Sequence, residues 1–171
     1  MKITKPVDLD NLDRGILEVL QEDCKTPLVK IGERVGLSAP AVVERVHKLE
    51  EAGIIRGYHA LLDGRRVGLD VTAFVGVTLN HQRIVGLLET SLGELPQILE
   101  AHYITGDHAL LLKVKVQNSA ALESLLARLR TIPGIECTHT MIALSSPLER
   151  VEVMVSTEEE QRTAAAARRK S

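Results

Sequence analysis

The residues best placed to do chemistry lie between Thr26 and Gly53, where the order is helix, Gly36, Leu37, helix. A turn of three or four residues between two short helices sets them steeply across each other. The second can then enter a DNA major groove while the first crosses the backbone. Thr26 is expected to cap the first of these helices, with Pro27 at its first position, and Ser38 to cap the second, with Pro40 in its first turn. Val42, Val46 and Leu49 point inward. At about 100° per residue, Pro40, Ala41, Glu44, His47 and Lys48 then point outward, Ala39 borders them, and Arg45 lies on the flank.

Each of these side chains has a use against a duplex. Arg45 can reach a guanine edge or a phosphate, and Glu44 can accept from cytosine N4. Ser38 and the N–H groups beside it can hold a phosphate at the helix N-terminus. Lys30, Arg34 and Lys48 are candidate backbone contacts, which position a protein without specifying sequence. Gly32 lets the two helices approach closely. The same pattern also suits a plain three-helix bundle, so the motif alone does not decide between the two.

Composition supplies little help. The chain has 21 Lys+Arg against 23 Asp+Glu, so charge alone points to no nucleic acid. Its 171 residues carry two Tyr, one Phe and no Trp, which argues against base stacking on aromatic platforms. Cys24 and Cys137 stand far apart, which fits a reducing cytosol better than a disulfide framework. The first ten residues have no apolar run of the kind a signal peptide needs, and no segment approaches bilayer-spanning length. The expected location is therefore the cytoplasm. No catalytic constellation, metal site or cofactor motif is read from the chain.

Around the helix pair, a first helix is expected from an Asp10 cap to near Asp23, with Leu12, Ile16, Val19 and Leu20 at helical spacing and Asp13 favourably placed in the dipole of its first turn. After Gly53, Ile54-Ile55 and Tyr58 to Leu62 read as extended chain, and Arg65 to Leu69 as a connector. The second half reads strand (Val71 to Leu79), helix (Ile84, Leu87, Leu88, Leu92), strand (Ile98 to Thr105), strand (His108 to Val116), helix (Leu122 to Leu129) and strand (Ile135 to Leu144). That order is the split-βαβ, ferredoxin-like arrangement. The first and third strands carry apolar residues on both faces, and two helices cover only one face of four strands. The other face needs a partner, most simply a second copy. Val151, Val153 and Val155 alternate with polar residues, as a short edge strand would. The expected division is residues 1–57 as the helix-turn-helix domain, 58–69 as linker and hinge, 70–156 as the second domain, and 157–171, with Arg168-Arg169-Lys170, as a disordered tail.

Several strings resemble the Lrp/AsnC (feast/famine) transcriptional regulators: Leu9-Asp10-Asn11-Leu12-Asp13-Arg14-Gly15-Ile16-Leu17; Val35-Gly36-Leu37-Ser38 followed by Val42, Arg45, Val46, Leu49 and Glu50; Ala52-Gly53-Ile54-Ile55-Arg56-Gly57-Tyr58; and Gly68-Leu69. The resemblance runs from about Asp8 to Leu144. It implies an α+β chain: an N-terminal winged helix-turn-helix and a C-terminal ferredoxin-like βαββαβ (RAM) domain that binds an effector. It also implies double-stranded DNA as partner, pairing into dimers and further into tetramers or octamers, and an amino acid as the sensed ligand. The family's effector loop usually reads Gly-Asp-x-Asp. Here it is Gly106-Asp107-His108-Ala109, with Ala109 where the second acid is usual. Thr138 and Thr140 match the family's threonine positions and would line the same site.

Two other readings stay open at this point. An effector-independent protein that compacts DNA would fit the altered loop. The fold is also similar to that of siroheme decarboxylases, and His59, His81, His102, His108 and His139 keep that enzyme class in view. Against it, the basic residues do not cluster as a polycarboxylate substrate would require. His102 and His108 flank a hairpin without an obvious third metal ligand.

Overall fold

The computed structural model describes residues 7–80 and 85–155, which form two compact units, residues 7–60 with 150–155 and residues 61–149. Expectations for His81, Ile84 and the tail from residue 157 lie outside the described residues, as does the Leu87 side chain.

In the first unit, α1 spans Asn11–Glu22, α2 Leu28–Val35 and α3 Ala39–Glu51. Asp10 caps α1 in a reciprocal box. Its carboxylate accepts the Asp13 N–H at 2.8 Å, and the Asp13 carboxylate accepts the Asp10 N–H at 3.4 Å. The start of α2 differs from the expectation by one residue. Pro27 is the cap and no side chain bonds to the helix end. Pro27 is extended (ψ 138°), but its carbonyl already accepts from Ile31, so the proline is half inside the helix and Thr26 is outside it. Gly36 ends α2 in the left-handed region at φ 76°, and Ser38 caps α3 by accepting from the Ala41 N–H.

Ile16, Leu17, Val19, Ile31, Val42 and Leu49 are buried together as the core of this unit. Gly32 is where α2 meets the turn: a Cβ there would stand 2.4 Å from the Leu37 carbonyl oxygen. The implied wing is not formed. Among the described residues, 52–70 contain no β-strand. Tyr58 instead folds back so that its hydroxyl donates to Glu50 at 2.9 Å.

Residues 150–155 depart from the expected edge strand. The main chain of Val153 is gripped by the Gln21 amide, which donates to its carbonyl at 3.1 Å and accepts its N–H at 2.7 Å. Val155 packs on the same core as α1. A side-chain amide thus offers the chain the donor and acceptor that a neighbouring strand would have offered.

In the second unit β1 is Val71–Leu79, α4 Val85–Gly93, β2 Ile98–Tyr103, β3 Leu110–Val116, α5 Ser119–Arg130 and β4 Ile135–Ile142. The sheet is antiparallel in the order β2-β3-β1-β4. Ala73, Val75, Val77, Leu110, Leu112, Val114 and Val116 point to one face, where they are buried with Leu88, Leu92, Leu122, Leu125 and Leu129 from the two helices. The ladder fixes what lies on the other face. Phe74 pairs with Lys113 and Met141, and Gly76 with Leu111 and His139. Glu100 pairs with Lys113, and His102 with Leu111. Among the described residues, α4 and α5 bury only the first face; on the other, Lys113 pairs with Glu149 and the Lys115 side chain reaches Gly64.

Candidate nucleic-acid interface and effector loop

The turn between α2 and α3 is tight because three local devices agree: a left-handed Gly36, a Leu37 N–H that returns to the Gly32 carbonyl at 2.8 Å, and the Ser38 cap. With Val42 and Leu49 buried and Val46 packed beside them, the outer surface of α3 is set. Pro40, Glu44, His47 and Lys48 are exposed there, while Ala39 and Ala41 are half-buried at its margin. Val43, which the sequence reading passed over, is 49% exposed on the same helix. An exposed apolar side chain is of the type that can meet a thymine methyl. Its signal was available in the helical angle, but a Val42-Val43 pair reads naturally as core.

Most charges on this unit are already engaged. Lys48 donates to Glu44 at 2.6 Å, one turn apart, and Lys48 is the main cause that holds the Glu44 carboxyl below its ordinary range. Arg34 is paired with Glu22 at 2.8 Å, and His47 with Glu51 at 3.5 Å. Arg45 is turned toward α1: its Nη1 donates to Asp10 and to Asp13, each at 2.7 Å. Lys30 is exposed on α2 with no ion pair among the described residues. Over residues 7–60 there are seven Lys and Arg against ten Asp and Glu. Such a surface supplies few phosphate contacts, and its binding should lose less affinity with salt than that of a basic domain.

The Tyr58 hydroxyl is pushed up to about 12, first by burial and then by Glu50, so it stays a donor and ties the segment after Gly57 to the end of α3.

The six effector candidates gather along one end of the sheet but are divided between its two faces. Gly106 takes φ 112°, a conformation suited to glycine, and Asp107 beside it is exposed. The His108 ring turns onto the open sheet face. It lies where a Gly76 side chain would be, 3.5 Å from the Thr78 hydroxyl and edge-on to His139 at 5.7 Å between ring centres. Thr138 and Thr140 pair with Val77 and Val75 and so face the helices, where Arg130 donates to the Thr138 hydroxyl at 3.4 Å. Ala109 is half-buried against the core of this unit, and its main chain is bonded into the sheet: its N–H donates to Val77 and its carbonyl accepts from Ile104. Among the remaining histidines, His102 is bound to Glu100 at 3.1 Å. Among the described residues, no helix is long and apolar enough to cross a membrane.

Comparison with known proteins covers both units. Residues 9–50 match the AsnC-type helix-turn-helix domain, and residues 72–153 match the Lrp/AsnC ligand binding domain. The chain is 34% identical over 149 residues to the HTH-type transcriptional regulator FL11 of Pyrococcus horikoshii, a match that spans 87% of this chain and 98% of the relative. The solved structure of Escherichia coli AsnC superposes with a TM-score of 0.79 at 33% identity, covering 85% of this chain and 99% of that one. A feast or famine regulatory protein from Mycobacterium tuberculosis, complexed with L-methionine, superposes with a TM-score of 0.80 at 29% identity, covering 85% and 99%.

Proposed function

Since the chain belongs to the Lrp/AsnC family of transcriptional regulators, we propose that it binds specific double-stranded DNA sites as a homodimer through α3 and answers to an amino acid or a related small metabolite. The observation that carries the DNA reading is the α2–Gly36–α3 unit. Its turn is too close for any residue but glycine at position 32, and it leaves Pro40, Val43, Glu44 and His47 clear of the core. Ser38, Lys30 and Lys48 are the proposed phosphate contacts, and Val43 and Glu44 the proposed base contacts. A near-neutral chain with an acidic reading domain gains specificity by pairing: two helices on a two-fold axis meet two half-sites, and each adds to the affinity of the other. The open sheet face, with Phe74, Leu111 and Met141, is the proposed surface for the second copy.

The effector part rests on the ligand-binding domain and on relatives solved with L-methionine. The proposed site is the loop from Gly106 to Ala109, with Asp107 as the partner of an ammonium. Thr138 and Thr140 belong to the helix-facing side of the sheet and are proposed at most as second wall residues. One observation favours effector-independent binding instead: at Ala109 an acid is replaced and the main chain is already bonded into the sheet. Genomic fragments captured by the purified chain and sequenced, with and without each amino acid, test both. Enrichment of a shared palindromic sequence supports the regulator, and a change in that enrichment with one amino acid identifies a sensor. Random recovery of fragments would refute sequence-specific binding.

A further inference from the structure

Arg45 sits on α3 about 60° round the helix from Val42, off the line on which Val42 and Leu49 meet the core. Apolar burial along that line resists lifting the helix but is non-directional, so it resists rolling only weakly. The guanidinium is placed as a lever against roll. Its Nη1 bridges Asp10 Oδ2 and Asp13 Oδ1, each at 2.7 Å. The other oxygen of each aspartate is spent in the reciprocal cap: Asp10 Oδ1 accepts the Asp13 N–H, and Asp13 Oδ2 accepts the Asp10 N–H. All four carboxylate oxygens are thereby used, and the middle of α3 is joined to the first turn of α1 by a closed ring of charge-assisted bonds. The Arg45 side chain is 29% exposed and that of Asp13 18%, so the inner half of the ring is shielded. The Asp10 carboxyl is held below its ordinary range, first by the Asp13 N–H and then by Arg45.

Base readout needs this fixity. The outer surface of a helix lies about 5–6 Å from its axis, so a roll of about 10° moves an outward side chain by about 1 Å. Hydrogen bonds to base edges weaken over a few tenths of an ångström.

We infer that Arg45 is a positioning residue: clasped by Asp10 and Asp13, it sets the roll of α3, and discrimination between DNA sequences depends on the clasp although Arg45 meets no base. The inference rests on the proposed reading of α3 as the recognition helix. It differs from direct readout in the sign expected of the acid variants. If Arg45 contacted DNA itself, removing acids that hold it would free a cation and strengthen binding. If it positions the helix, the same change loosens the clasp and costs discrimination.

The experiment compares a duplex selected by the wild-type chain with a scrambled duplex, using wild type, D13N, R45A and D13N/R45A, all below their melting temperatures. Asn at position 13 keeps an acceptor for the cap. A fall in the selected-to-scrambled ratio of threefold or more in D13N, a similar or larger fall in R45A, and no further fall in the double variant support the clasp. A ratio in D13N equal to or above wild type while R45A falls would overturn it in favour of direct contact. Lowered melting temperatures with unchanged ratios would overturn it in favour of stability alone. If R45A does not fold, D13N decides. A wild-type chain that selects no sequence would refute the recognition-helix reading itself, a result distinct from either.

Discussion

Replacing Gly32 with alanine tests the geometry on which the helix-turn-helix depends. The new Cβ would stand 2.4 Å from the Leu37 carbonyl oxygen and 3.5 Å from a Val42 methyl. Ordinary contact begins near 3.4 Å, so the turn must move by about 1 Å. The obstacle is main chain whose N–H also returns to the Gly32 carbonyl at 2.8 Å, and it cannot swing aside as a flexible side chain would. Overpacking of this kind costs about 3 kcal/mol at the upper end of its usual range. Alanine recovers about 1 kcal/mol in helix propensity. The net loss is then about 2 kcal/mol, or about 4–8 °C in Tm for a chain of this size. Differential scanning calorimetry reads it directly. Gly93 provides the control: nothing lies within 4 Å of a Cβ there, so Gly93→Ala should be neutral or slightly stabilising. If Gly32→Ala melts at or above wild type, the close approach of α2 and the turn is wrong, and with it the crossing of the two helices.

Three further outcomes are expected. Gln21→Ala removes both bonds to Val153 and should cost about 1 kcal/mol while hastening exchange of the Val153 amide, as read by hydrogen–deuterium exchange. Phe74→Glu places a charge on the open sheet face and should convert the proposed dimer to monomer in sedimentation equilibrium; an unchanged dimer would refute that face as the contact. In acid, Asp10, Glu44 and Glu100 are each held below the ordinary values of 3.8, 4.5 and 4.5, so their contribution to stability is complete above those values and is lost as pH falls through the lower folded-state values. Urea midpoints should therefore hold steady from pH 7 to about 5 and drop below about 4; a midpoint that rises on acidification would contradict the ion pairs.

The elements that position the reading helix were legible because their signals are local. Asp10, Gly36, Ser38 and the Val42/Leu49 stripe each act within one helical turn, and β1 runs from Val71 to Leu79 as its alternation predicts. The partners of Arg45 were not legible as partners. Asp10 and Asp13 were visible as a cap, but 35 and 32 residues separate them from the guanidinium, and nothing in spacing links the two. Residues 150–155 misled for a related reason. Alternating valines satisfy a strand pattern, yet the hydrogen-bond partner that meets them is the side chain of Gln21, 132 residues away, not a strand edge. Thr138 and Thr140 were placed at the effector loop by resemblance alone; the period of two along β4 puts them on the helix-facing side, opposite to His139.

The central claim is that α3 reads DNA as half of a two-fold pair, and hydroxyl-radical footprinting on a fragment captured by the chain tests it most directly. The account predicts two protected patches related by two-fold symmetry, with centres one helical turn (about 10 base pairs) or a whole multiple of it apart, both lost in a variant carrying Glu44→Ala and Val43→Ala. Uniform protection along the fragment, or protection that survives those changes, would contradict it.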